Sequence, residues 1–212
     1  MKHTFGLTCA LGAAALAVPF LATAESNLQL GANTANPGAT AHVDFQIVIP
    51  KILYLRVGTG SSYTTGQLAG NATVDLITCT PPPGTLGNGT AQACAGGDLT
   101  SGVETAAVVS NSGNVTLNAT ALGALNDGGA DTIPFTQIVT AATTLNSATA
   151  LPAPALTNGV SGNVVINAPA TKVINQDAQW TYTYANSAVP PAGNYGGVGI
   201  NNSRIVYTAT MP

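Results

Sequence analysis

Charge is what this chain has least of. Asp, Glu, Lys and Arg make up 6% of its residues, against about 25% in soluble domains. Within residues 25–212 four basic side chains, Lys51, Arg56, Lys172 and Arg204, face eight acidic ones, a net charge of −4. Such a surface cannot grip a phosphate backbone or an anionic bilayer by charge, which excludes nucleic acid and lipid headgroups as main partners. Histidine is as scarce, His3 and His42 being the two in the chain. A hydrolase needs a nucleophile beside a base, paired carboxylates or a metal. One isolated imidazole at His42 and acids scattered among turn residues supply no such motif, so the expectation is a protein that is not an enzyme and carries no cofactor.

Long apolar runs are missing too. The longest, Leu7 to Leu21, contains Pro19 and falls short of the roughly 20 residues that span a bilayer. Lys2 and His3 precede it and Ala22-Thr23-Ala24 follows it, the basic, apolar and small-residue parts of a secretory signal. Residues 1–24 are therefore expected to be cleaved, leaving a mature chain from Glu25 with no membrane span. Cleavage removes Cys9 and leaves Cys79 and Cys94, an even pair that reads as a disulfide in an exported chain. The loop they close, "TPPPGTLGNGTAQA", has no apolar periodicity to hold it down.

Helical periodicity is absent after Glu25. Short segments rich in Val, Ile, Thr and Tyr alternate with Gly, Asn and Pro instead, which is the pattern of strands and turns. Strands are expected over 42–49, 52–57, 72–78, 103–110, 114–119, 135–141, 163–167, 178–185 and 204–210. Strands at this spacing predict an all-β antiparallel sandwich or barrel, a single domain over 51–212 preceded by a flexible arm over 25–41. The Ala- and Thr-rich stretch 140–154 reads equally as loop, short helix or poor strand.

Two motifs invite a ligand. Asn126-Asp-Gly-Gly-Ala-Asp131 has the glycine-bent, oxygen-rich look of a calcium loop, with Asp127 and Asp131 as candidate ligands. Calcium takes six to eight oxygens, however, and a plain hairpin loop fits the short ligand set better. "QWTYTYAN", residues 179–186, puts Trp180, Tyr182 and Tyr184 on one face of a strand. The stripe is either a platform for sugar rings or part of the core. A chain with one Trp and four Phe has few other large rings to bury, which favours the core.

"HVDFQIVIPKILYLRVG", residues 42–58, is the densest apolar stretch after the signal. Val43, Phe45, Ile47 and Ile49 share one face, and past Pro50 the segment Ile52 to Val57 is apolar on both. Proline cannot donate to a central ladder, so Pro50 joins two strands rather than sitting within one. With the closing "PAGNYGGVGINNSRIVYTATMP", these features resemble the subunits of chaperone–usher fimbriae, the pilins of Gram-negative bacteria. That resemblance implies an immunoglobulin-like sandwich lacking its last strand, completed by the N-terminal extension of a neighbour. It implies Val43, Phe45, Ile47 and Ile49 as the donor face within 42–50, Ile52 to Val57 as the first domain strand, and a role in adhesion. The implied partners are copies of itself or other fimbrial subunits, a periplasmic chaperone and an outer-membrane usher, with export through the periplasm to the cell surface. The competing expectation is a secreted monomeric sandwich that binds a glycan through the Trp180 stripe.

Overall fold

The computed structural model describes residues 27–31, 38–60 and 74–212. The signal segment 1–24 and residues 25–26 and 32–37 of the arm 25–41 lie outside those residues, as do the first two positions of the strand expected at 72–78. The chain divides between Ile49 and Pro50 into two units.

The larger unit is all-β. Its strands are β1 (Leu53–Val57), β2 (Ile77–Cys79), β3 (Gln92–Gly96), β4 (Val103–Ser110), β5 (Val115–Ala121), β6 (Leu125–Asn126), β7 (Thr132–Ile133), β8 (Ile138–Thr143), β9 (Val164–Ile166), β10 (Ile174–Tyr184) and β11 (Ile205–Thr210). All pairings are antiparallel. One sheet runs β1-β4-β10-β3-β2. Strand β4 takes Ile174 to Thr181 of β10, and β3 continues along the same edge at Thr183 and Tyr184. The other edge of β10 pairs with β8 over Gln179 to Tyr184. The second sheet is β11-β5-β9, and β6 and β7 form a hairpin.

Period-two alternation builds the core between these sheets. Along β5 Val115, Leu117, Ala119 and Ala121 are buried while the residues between them are not, as expected for a strand with one face inward. They meet Ala106 and Val108 of β4 and Ile174, Ala178, Trp180 and Tyr182 of β10. Trp180 is the anchor, 0% exposed. Its indole Nε1 donates to the Leu151 carbonyl at 2.8 Å, and its ring lies 5.2 Å from that of Tyr207 on the opposite sheet. Leu151 and Leu156 reach the core from irregular backbone after β8. The stretch 140–154 is thus the end of one strand followed by a loop whose leucines are structural. Asp177 anchors the loop, accepting from the backbone N–H of Asn146 and of Ser147 at 2.9 and 2.7 Å.

The disulfide forms. Cys79 and Cys94 are cross-strand partners of β2 and β3. The enclosed loop is held from outside by Asn186, which is fully buried. Its Nδ2 donates to the Thr85 carbonyl at 2.7 Å, its Oδ1 accepts from Gly87 N–H at 2.9 Å, and its own carbonyl accepts from Gly89 N–H. Asn186 has a φ of 54°, a left-handed conformation that Asn tolerates better than most residues.

One expected strand is absent. Residues 42–49 carry no ladder, and Val43, Phe45, Ile47 and Ile49 are exposed, Phe45 at 90%. Apolar alternation specifies which face a strand would bury; the strand itself needs an edge to bond to.

Candidate functional site

Among the described residues β1, β2, β8, β9 and β11 each pair with a single strand of the two main sheets, and two of these, β1 and β11, come close together. β1 pairs with β4 alone, from Leu53↔Ser110 to Val57↔Ala106. β11 pairs with β5 alone, from Ile205↔Ala121 to Thr210↔Thr116. The two run near each other on opposite sheets, with Cα atoms within 8 Å in places, and one cross-link ties them: Lys51 Nζ donates to the Pro212 carbonyl at 2.8 Å.

The side chains along these edges are unlike those deeper in the core. Leu53, Leu55 and Val57 of β1, with Ile205, Tyr207 and Ala209 of β11, pack against the core yet none is buried. The inward residues of β4, β5 and β10 mostly are. The core is therefore only half-covered along the β1–β11 seam, as it also is at Ile138 and Ala142 of β8. A strand edge with no ladder partner beside a half-covered apolar surface is a template for another strand.

The β11 edge is also internally braced. Tyr182 and Tyr207 hydroxyls are hydrogen-bonded across the sandwich at 2.9 Å. Burial, followed by the neighbouring phenol, pushes Tyr182 well above the usual phenol range, and burial takes Tyr207 up to about 12. Both rings stay neutral at physiological pH and hold the last strand against β10.

Near the Val57 end of the seam the fold brings together acids that the sequence leaves scattered. Glu104 points inward from β4 and is 4% exposed. Its carboxyl hydrogen-bonds the Asp75 side chain and accepts from Asp98 N–H. Asp75 in turn accepts from Thr59 N–H and Thr59 Oγ1, and Asp98 faces Arg56 at 3.6 Å. Burial first, and the Asp75 charge second, push Glu104 from 4.5 up to about 8. At neutral pH it keeps its proton and can donate it to Asp75. So buried a group cannot meet a substrate, and the pair acts as a structural tie. Because the folded form holds this proton tightly, the tie's contribution to stability is full below pH 4.5 and lost as pH rises towards 8. Glu104→Gln, which cannot ionise, is expected to gain about 2 kcal/mol over the parent at pH 9 and almost nothing at pH 4. Urea midpoints measured at both pH values check this; an equal gain at both would remove the shared proton from the account.

The remaining sequence candidates fall elsewhere. Trp180, Tyr182 and Tyr184 are all buried, Trp180 and Tyr182 within the core cluster, which is the core reading the scarcity of aromatics favoured over a glycan platform. Asp127 and Asp131 sit in the β6–β7 hairpin loop, where Asp127 Oδ1 accepts from Gly129 N–H and the Asp131 carbonyl from Asp127 N–H. The calcium candidates are thus turn-forming groups, and among the described residues no cluster of three or more acids, histidines or cysteines is placed to hold a metal. His42 lies in the exposed stretch before Pro50. An open concavity of about 250 Å3, lined by Pro134, Pro190, Pro191 and Tyr184 among others, has no carboxylate, imidazole or thiol in its wall.

Comparison with protein-family models, with curated proteins and with solved structures gave no match.

Proposed function

We propose that this chain is an exported structural subunit of a bacterial surface fibre of the chaperone–usher kind, completed by the segment Val43 to Ile49 of a neighbouring copy. The strand order carries the reading. An immunoglobulin-type sandwich places its seven strands as A-B-E-D on one sheet and C-F-G on the other. Taken in chain order, β1, β4, β5, β8, β10 and β11 supply A to F: β1-β4-β10-β8 lie in the order A-B-E-D, and β5 and β11 are neighbours as C and F are. Among the described residues no strand takes the position of G, beside β11. The inserted hairpin β2–β3 and the short strands lie outside this frame.

The exposed alternation at Val43, Phe45, Ile47 and Ile49 has the periodicity that such a vacancy requires. Main-chain bonds to β11 would provide affinity, and alternate side chains filling the seam would set the register. A strand lying between β1 and β11 needs about 9.6 Å between them, twice the spacing of neighbouring strands. Where the edges now lie within 8 Å, insertion moves them apart and breaks the Lys51–Pro212 bond. A subunit whose surface includes an open seam would need a chaperone in the periplasm, since an unpaired edge over apolar surface aggregates. The contact is heterologous and does not close on itself, so repetition gives a filament.

Deletion of residues 25–49 tests the reading. The truncated chain is expected to form no fibres alone, to bind a synthetic peptide of residues 42–50, and to cap fibres of the full chain, all visible by sedimentation and electron microscopy. Undiminished polymerisation of the truncated chain sinks the proposal.

A further inference from the structure

The antiparallel registers sort every connection of the sandwich to one of two ends. Leu53↔Ser110, Ile174↔Ser110 and Thr210↔Thr116 place the start of β1, the end of β4, the start of β10 and the end of β11 together. Val57↔Ala106, Tyr184↔Ile138 and Ile205↔Ala121 define the other end. The charges of residues 50–212 follow the same division. Lys51 and Lys172 are exposed at the first end, where Lys51 bonds the Pro212 carbonyl and Gly113 N–H donates to the Lys172 carbonyl. The acid nearest them, Asp177, is engaged with Asn146 and Ser147. At the second end lie Asp75, Asp98 and Glu104, and the β6–β7 hairpin that follows β5 presents Asp127 and Asp131. Of the two cations there, Arg56 faces Asp98, which leaves Arg204 against the exposed acids. Two of the four cations thus lie at the first end and five of the six acids at the second, so the two ends differ in net charge although Arg56 and Arg204 sit among the acids.

We propose that the two ends recognise one another between copies: the end bearing Lys51 and Lys172 docks on the end of a second copy that bears Asp127 and Asp131. Complementary patches of this kind steer encounter and select orientation, and their reach is about a Debye length, roughly 8 Å at physiological salt. The polarity of the chain agrees with that pairing, and here the inference rests on the strand-donation reading above. β11 runs from the acidic end to the basic end. A donor strand antiparallel to it finishes, at Ile49, at the acceptor's acidic end. Pro50 and Lys51 follow at once in sequence, so donation delivers Lys51 to the partner's acids. Parallel donation would instead bring like charges together at the basic end.

The test uses the full chain with paired reversals, Lys51→Glu with Lys172→Glu in one variant and Asp127→Lys with Asp131→Lys in another. Assembly is followed by light scattering at about 20 mM and about 500 mM salt. Each variant alone is expected to assemble about tenfold more slowly than the parent at low salt, to approach the parent at high salt, and to regain the parental rate when the two are mixed. Recovery on mixing also shows that both are folded. Low-salt rates within twofold of the parent, or no recovery on mixing, overturn the docking of unlike ends. If that happens while deletion of residues 25–49 still abolishes assembly, strand donation stands and only the electrostatic contact falls; if the deletion has no effect, strand donation fails by itself.

Discussion

Trp180→Ala is expected to lower the stability of the domain by about 3–5 kcal/mol, enough to leave it largely unfolded under conditions where the parent is native. Trp180 is the largest fully buried side chain and stands where the two sheets and the loop at Leu151 meet. Truncation opens a cavity bounded by Tyr207 and removes the donor to the Leu151 carbonyl at 2.8 Å. The second loss adds to the first, because a buried acceptor left without a donor carries its own penalty of about 1–3 kcal/mol. Trp180→Phe separates the two: it keeps much of the volume and loses the N–H, so it should fall between the parent and Trp180→Ala. Urea unfolding followed by far-UV circular dichroism checks both variants. Equal stability of Trp180→Ala and parent would mean that the centre of the sandwich is not packed as described.

Replacing Cys79 and Cys94 by Ala is expected to weaken the protein by about 3 kcal/mol, the entropy regained by an unfolded chain when a loop of about 15 residues is no longer closed. The sequence separation of the bridge is 15. Where the loss appears is set by the neighbours. β3 touches the main sheet through two register pairs at Thr183 and Tyr184, and β2 is bonded to β3 alone. The loop between them depends on Asn186. Hydrogen exchange should therefore rise first at Ile77 to Gly96 while the amides of β4, β5 and β10 stay protected. Uniform loss of protection across all strands would show that the hairpin unfolds together with the core.

The sequence carried most of the sandwich because its strands bury one face. Val103 to Ser110 is found with the ends its pattern predicts, and 204–210 and 163–167 differ from the observed strands by a residue at one or both ends. Pattern failed where pairing, and not burial, makes the strand. Gln92 to Gly96 is built of small residues with no alternation, and it is a strand because Cys94 faces Cys79 and Ala93 faces Thr183. Ile174-Asn-Gln-Asp177 is polar, yet it extends β10 because β4 continues beside it. The reverse holds for 42–49, which has the strongest strand pattern and no ladder. The Trp180 stripe was legible as core from the scarcity of aromatics. The seam was not, since which edges lack a partner depends on the order of strands. Nor was the meeting of Asp75 with Glu104, which are 29 positions apart in sequence and converge above Gly58.

The placement of β1 also decides how such a fibre would bear load. In the proposed fibre, tension carried from one subunit to the next would enter at Pro50, directly before β1 in sequence, and a pull along that strand would load its hydrogen bonds at once. Its five register pairs with β4, Leu53 to Val57, then lie across the pull and are strained together, in shear. They are not opened one after another as they would be if the force peeled the strand from its end. Short as it is, β1 would then resist extension through hydrogen bonds acting collectively.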